Sequence, residues 1–301
     1  MNIAVIGTAF VDIKGHSINK YLEGGRNPGY IENVYGGVAR NIAEDLINAG
    51  CGSSFISMVD DSATGRDLLA DLNSKGVNTC HVGICPAGCG TWLAVFNELG
   101  DVVASVSVKA DLSELPAIID EHHKEIFSGL DAVILEIDID ENVVERIFRY
   151  ADMYGIDVYC AVAIMSNALD KKQYFQYSKC FICNSQEAGM LFDHDFNAAS
   201  PAEILQYAIS HRTVIGCKNL VITMSENGSV YTSANGESGI CPAENVRLVD
   251  STGAGDSYCA GLTAALASGF PLSEAFAIGT KMAAAVVSGT SNVYTGPKLF
   301  K

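Results

Sequence analysis

Leu248-Val249-Asp250-Ser251-Thr252-Gly253-Ala254-Gly255-Asp256-Ser257-Tyr258-Cys259-Ala260-Gly261-Leu262 runs from an apolar strand end through a glycine turn into a helix of small residues. Backbone N–H groups at Gly253, Ala254 and Gly255 can converge on one point only where side chains are absent or tiny, and the following helix turns its positive end toward them. An anion is expected there. Asp256 stands out, because a fixed negative charge beside an anion site is repulsive unless it has a task, such as taking the proton of an attacking hydroxyl. The arrangement suits phosphoryl transfer, with Asp256 as general base. The same residues also read as an ordinary helix start, since the dipole favours Asp in a first turn and glycine turns are common.

Around this stretch the chain fits one enzyme-sized unit over residues 1–301. With 49% hydrophobic and 18% charged residues it can bury a large core, and no stretch reads as a linker or low-complexity tract. Met1-Asn2-Ile3-Ala4-Val5-Ile6-Gly7 carries no basic leader, and no apolar run reaches membrane-spanning length, so a cytoplasmic protein without a membrane partner is expected. Ten cysteines without regular spacing fit buried reduced thiols. The pairs Cys180/Cys183 and Cys85/Cys89 accordingly read as core thiols rather than metal ligands. A net charge of −16 with no Lys/Arg cluster argues against nucleic acid. It does not argue against ATP, which a helix N-terminus, backbone donors and Mg²⁺ can hold.

Short apolar runs at 3–6, 54–57, 132–135, 158–162, 181–183 and 220–223 predict buried strands. Amphipathic stretches at 38–48, 64–74, 142–153, 201–211 and 272–288 predict helices, giving an α/β fold around a mainly parallel sheet. Ligands then belong at the carboxyl ends of the strands. Two regions break the rhythm. Residues 15–34 are polar and glycine-rich, and between 91 and 108 two alternating strands flank the turn Glu98-Leu99-Gly100-Asp101.

Residues 250–262, DSTGAGDSYCAGL, resemble the C-terminal signature of the ribokinase-like (PfkB) carbohydrate and nucleoside kinases, D-T-x-G-A-G-D-x-F. Gly36-Gly37-Val38-Ala39-Arg40-Asn41-Ile42-Ala43 resembles the family's N-terminal signature, in which two glycines open a helix that carries an Asn toward the sugar. The resemblance spans residues 3–297. It implies a ribokinase-like three-layer sandwich with a small β-sheet lid, built from about 13–35 and 90–110, that covers the sugar and pairs with a second subunit's lid. An apolar lid face including Trp92, Val95 or Val103 would want such a partner, so a homodimer is expected.

The resemblance also assigns individual positions. Asp12 would grip a sugar diol, its other reading being a loop cap. Gly36 and Gly37 would let the backbone approach the sugar, and Asn41 would offer a donor and an acceptor. Arg40 reads equally as a substrate contact or as a partner of Glu44 one turn on. Glu136 occupies a place often used for sugar contact. Asn184-Ser185-Gln186-Glu187 matches the N-x-x-E motif that organises Mg²⁺ through water, although by itself the pattern is a capping box. Thr223-Met224-Ser225-Glu226-Asn227-Gly228 resembles a nucleotide-side turn usually written T-x-G-x-x-G, with Ser225 replacing its first glycine and Gly228 kept. Asp250 and Thr252 lie where relatives bind K⁺, with carbonyls after Val286 completing the shell; a helix cap at Thr252 and a turn acceptor at Asp250 are the plainer readings.

The implied reaction is direct transfer of the γ-phosphoryl group of Mg-ATP to the primary 5′-hydroxyl of a ribose-containing substrate. Asn27-Pro28-Gly29-Tyr30-Ile31, followed by a glycine pair and Val38, is more similar to pseudouridine kinases than to ribokinases, which tend to carry Lys at that position; Gly236-Glu237-Ser238-Gly239 is a weaker likeness. Pseudouridine is thus the expected acceptor, its base read by groups such as Asn27, Lys109 or Asp111. A ribokinase- or fructokinase-type sugar kinase, or another nucleoside kinase, is the alternative. A protein that binds without catalysis is opposed by the intact Asp256, the turn glycines and Glu187. The chain has no Gly-x-x-x-x-Gly-Lys-Ser/Thr loop, and Gly7-Thr8-Ala9 is no dinucleotide fingerprint.

Overall fold

The computed structural model describes residues 1–300. Its first third contains β1 (Asn2–Ile6), β2 (Phe10–Ser17), β3 (Gly29–Gly36), α1 (Val38–Ala49), β4 (Gly52–Ile56), β5 (Met58–Val59), α2 (Ala63–Lys75), β6 (Gly83–Ile84), β7 (Gly90–Phe96) and β8 (Val102–Val108). There follow α3 (Leu115–Phe127), β9 (Ala132–Glu136), α4 (Glu141–Tyr154), β10 (Val158–Ala161), the short α5 (Met165–Leu169) and α6 (Lys172–Phe175), β11 (Cys180–Asn184), α7 (Ser185–Phe192) and α8 (Pro201–His211). The chain continues through β12 (Asn219–Thr223), β13 (Ser229–Ser233), β14 (Ser238–Cys241), α9 (Ala254–Ala267) and α10 (Leu272–Val287).

The main sheet has the order β14-β13-β12-β11-β10-β9-β1-β4. Its six strands from β12 to β4 are parallel, and β13 and β14 add an antiparallel edge. Parallel strands buried on both faces need apolar residues at every position, and β1 from Ile3 onward and β9 as far as Leu135 meet that need. Ile3, Val5, Ala132 and Ile134 join a core with α1, α2, α9 and α10, whereas Ala4, Ile6, Val133 and Leu135 join the opposite core with α3, α4, α7 and α8. Helices therefore cover both faces.

A second sheet, β3-β2-β7-β8, takes in the two segments that break the sequence rhythm. Its alternation corrects one expectation. Trp92 is paired with Asp12 and shares its face, while Val95, one residue out of phase with it, points the other way. Both are half-buried, whereas Val103 is exposed as expected; the exposed apolar residues on the face away from Asp12 are Ile31, Leu93, Val106 and Val108.

Leu248 and Val249 are also corrected. They belong to no strand and are 68% and 50% exposed, in an extended segment after β14. The chain reaches the glycine turn along the surface, so apolar character there did not signify a buried strand. All ten cysteines are free, and Cys85, Cys89, Cys180 and Cys183 are buried. Among the described residues no helix is long and apolar enough to cross a membrane.

Candidate active site

Parallel strands deliver their carboxyl ends to one edge of the main sheet, and the candidate residues collect there. Thr8 follows β1, Glu136 closes β9, Asn184 closes β11 and Thr223 closes β12. Between the end of β1, the small sheet and the start of α9 lies a cavity of about 200 Å³, which Thr8 lines and Glu136, Asn184 and Thr223 do not. Its lining brings Asp12, Gly36, Gly37 and Asn41 together with Thr252, Gly253 and Asp256, more than two hundred residues away in sequence.

Asp256 is set by a helix-to-helix contact. Asn41 Nδ2, on α1, donates to Asp256 Oδ2 at 2.8 Å. The Asn41 amide has one orientation because its Oδ1 accepts from Arg40 Nη1 at 3.2 Å and Asn292 Nδ2 at 3.4 Å, which leaves the NH₂ group for Asp256. Burial pushes the Asp256 carboxyl up to about 7; the Asn41 hydrogen bond pulls the other way and the Glu187 carboxylate adds to the rise. One turn on, Asp45 repeats the contact, accepting from Ser257 Oγ at 2.8 Å and from Tyr294 N at 2.5 Å.

Gly253 explains why this turn needs glycine. Its φ is +81°, and a Cβ there would lie 1.9 Å from the carbonyl oxygen of Asn292. The turn's donors are not the three read from the sequence. Ala254 N donates to Ser251 O at 3.2 Å, whereas the amides of Gly253, Gly255 and Asp256 have no protein acceptor among the described residues. Three unpaired donors exist, shifted toward the first turn of the helix, where an α-helix leaves its N–H groups without partners.

Three sequence assignments change. Arg40 does not line the cavity: its guanidinium is buried against Glu44 and lies 3.2 Å from Asp71, the partner reading of that residue. Asn27 turns back on its own loop, accepting from Leu22 N at 2.7 Å and donating to Leu22 O at 3.0 Å, so it is a turn residue. Glu136 stands one layer behind the cavity wall. Its Oε2 accepts from Thr8 N at 2.8 Å and its Oε1 from the Thr8 hydroxyl at 2.9 Å, and Thr8 is the residue that faces the cavity. Burial raises the Glu136 carboxyl well above the ordinary range and Asp138 raises it further.

Asp12 keeps its place in the cavity wall, with burial raising its carboxyl and Lys14 opposing. Asn184 and Glu187 form a reciprocal cap on α7: Asn184 N donates to Glu187 Oε2 at 2.7 Å and Glu187 N to Asn184 Oδ1 at 2.8 Å. The cap engages one Glu187 oxygen and leaves Oε1 without a protein partner among the described residues. Burial raises the Glu187 carboxyl, the Asn184 amide lowers it and Asp138 raises it again. Thr223 Oγ1 is 3.5 Å from Cys183 O. Ser225 adopts φ +51°, a conformation that glycine takes more easily, and Gly228 follows at φ +82°. Asp250 Oδ1 accepts from Thr252 N at 2.9 Å, and this bond holds its carboxyl below the ordinary range.

Sequence reasoning missed Thr8, Ala163, Asn292 and Asp138. Asp138 accepts from Ala163 N at 2.8 Å and Ile164 N at 3.0 Å, fixing the loop that closes one side of the cavity. Its signal was its place two residues past the end of β9; Asn292 offered no local signal.

The profile of the pfkB family carbohydrate kinases matches residues 1–298. The chain is 33% identical over 292 residues to the guanosine-inosine kinase of Exiguobacterium acetylicum, covering 96% of this chain and 95% of that one. It is 25% identical over 297 residues to the pseudouridine kinase of Escherichia coli K12, covering 96% and 92%. The fold is similar to that of Arabidopsis thaliana ribokinase complexed with ribose and ATP, with TM-score 0.82, 16% identity and coverage of 99% and 96%. The chain thus belongs to the pfkB family carbohydrate kinases, phosphotransferases that act on hydroxyl groups.

Proposed function

We propose that this protein is a nucleoside kinase that transfers the γ-phosphoryl group of Mg-ATP to the primary 5′-hydroxyl of the ribose. The observation that carries the reading is the Asn41–Asp256 pair, 2.8 Å long, at a cavity that Thr252 and Gly253 of the glycine turn also line. A carboxyl near 7 is half ionised at neutral pH, so it accepts a proton from an attacking hydroxyl and surrenders it readily. The amides of Gly253, Gly255 and Asp256 would hold the charge that gathers on the transferred group, the contribution that dominates where donors are fixed in advance. Ala254 supports the turn rather than the phosphoryl group.

Asp12 would grip the ribose diol, with Gly36, Gly37 and Asn41 closing around the ring. At about 200 Å³ the cavity is smaller than the roughly 300–1,000 Å³ of sites that bury a drug-sized ligand, so it suits a pentose with base and phosphates extending outward. Asn184, Thr223, Ser225 and Gly228 would flank the nucleotide. Mg²⁺, arriving with the nucleotide, would neutralise phosphate charge through water held by Glu187. Asp250, kept anionic, and Thr252 would hold K⁺ beside the glycine turn. The small sheet would act as a lid that excludes water from the reacting hydroxyl, and its face bearing Ile31, Leu93, Val106 and Val108 would pair with a second copy.

Guanosine and inosine are the acceptors favoured by the 33%-identical relative. Pseudouridine is the second reading, supported by the 25%-identical kinase and the Asn27–Ile31 likeness, although Asn27 is taken up by its own turn. ADP release is measured with guanosine, inosine, pseudouridine, uridine, adenosine, ribose and fructose. Selective turnover of guanosine or inosine supports the first reading, and of pseudouridine the second. Selective release with ribose or fructose rejects both.

A further inference from the structure

Three side chains outside the cavity converge on one point of the surface. His81 stands in the connection between α2 and β6, and His122 and Glu125 are one turn apart on α3. His81 Nε2 is 3.2 Å from Glu125 Oε2, His122 Nδ1 is 3.6 Å from the same oxygen, and the three ligand atoms all lie within 4.8 Å of one another. Ligands set tetrahedrally at about 2.0–2.1 Å from a zinc ion are about 3.3 Å apart. Two of the three edges therefore already have the separation that a bound ion requires. Two imidazole nitrogens and one carboxylate oxygen form a donor set that suits Zn²⁺, Ni²⁺, Co²⁺ or Cu²⁺, whereas Mg²⁺ prefers oxygen alone.

We propose that His81, His122 and Glu125 bind a transition-metal dication, Zn²⁺ foremost, with water in the fourth position. None of the three lines the catalytic cavity, so the site is independent of the acceptor and of the Mg²⁺ that accompanies ATP. Its place in the fold gives the ion a role. Residues 85–89 lead from β6 into β7, and residues 109–114 lead from β8 into α3. An ion joining His81 to α3 ties together the two elements from which the β7–β8 hairpin of the small sheet emerges. These elements already touch, since a Cβ on Gly83 would come within 2.4 Å of Ile118 Cδ1. The competing arrangement is a hydrogen-bonded cluster in which one carboxylate oxygen serves both imidazoles without any ion.

The full-length protein, stripped with a chelator and held in excess Mg²⁺, is titrated with Zn²⁺ and then Ni²⁺ by calorimetry, with thermal unfolding followed in parallel. One equivalent is expected to bind and to raise Tm. His122→Ala and Glu125→Ala, whose side chains are 38% and 70% exposed, are expected to fold normally and to retain kinase turnover. Each should weaken binding more than about 100-fold, beyond the range reached by removing a mere supporting partner of a ligand. Unchanged affinity in both variants overturns the proposal, as does the absence of stoichiometric binding to the wild-type protein. Binding that survives His122→Ala but disappears in Cys80→Ser, which removes the exposed neighbouring thiol, overturns it too.

Discussion

Replacing Asn41 by Leu separates two roles that the geometry gives to one side chain. The substitution removes the donor to Asp256 Oδ2, while Arg40 Nη1 and Asn292 Nδ2 each retain the carbonyl of Tyr35. A hydrogen bond to an ionised group contributes about 1.5–3 kcal/mol, and about 1.4 kcal/mol equals one pKa unit. The Asp256 carboxyl, now pushed up to about 7, should rise to about 8–9. At pH 7 the ionised share would fall from about one half to between about a tenth and a hundredth, a rate loss of about fivefold to fiftyfold. The assay is the pH profile of kcat and of kcat/KM, with saturating Mg-ATP. The acidic limb of both should move to higher pH, and the variant should approach the wild-type rate above the new limb. A loss of equal size at every pH, with the limb in place, would refute the reasoning and reduce Asn41 to a substrate contact.

Asp256→Asn should lower turnover by at least about 10²-fold, since it removes the proposed proton acceptor, yet it should stabilise the fold in alkaline solution. The folded carboxyl is raised above its ordinary value, so the native state holds its proton to higher pH than the unfolded chain does. Its penalty is absent near pH 3, grows as the pH rises through the ordinary carboxylate range, and is complete above about pH 7. About three pKa units set an upper bound of about 4 kcal/mol. A variant that denatures in urea at the wild-type midpoint at both pH 5 and pH 8 would contradict the burial argument. Arg40→Met should cost about 3 kcal/mol or more by leaving Glu44 buried with only Lys75 beside it, and should change KM for the nucleoside little. A large rise in KM with unaltered denaturation would return Arg40 to the substrate.

Much of this site was legible because the chemistry imposes local rules. A φ of +81° at Gly253 and of +99° at Gly37, where a Cβ would meet the carbonyl of Thr8 at 2.6 Å, leave glycine as the fitting residue, so both turns announce themselves in the sequence. The strands were legible because residues buried on both faces must all be apolar. What escaped depends on distant parts of the chain. Whether Arg40 faces the sugar or Glu44 is settled by Asp71 on another helix, and nothing near Ala254 announces that its amide is committed to Ser251 while that of Asp256 is not. The same holds for Leu248 and Val249. Their apolar side chains look like a strand until the chain's path along the surface is known.

The two signatures act as one device because α1 and α9 pack directly together. Asn41 and Asp45 are four residues apart, hence on one face of α1, and they meet the adjacent Asp256 and Ser257 at the start of α9. The outer contact carries the candidate base and is part-buried. The inner one is sealed: Asp45 is fully buried, and burial raises its carboxyl far above the ordinary range. Asp45 also takes the amide of Tyr294, which anchors the segment that supplies Asn292 to the back of Asn41. A rotation of α1 that moved Asn41 away from Asp256 would therefore have to break the buried contacts of Asp45 as well, leaving a desolvated carboxyl without partners. The candidate base is aimed from beneath by a polar contact outside the cavity lining, so its alignment does not depend on an acceptor being present.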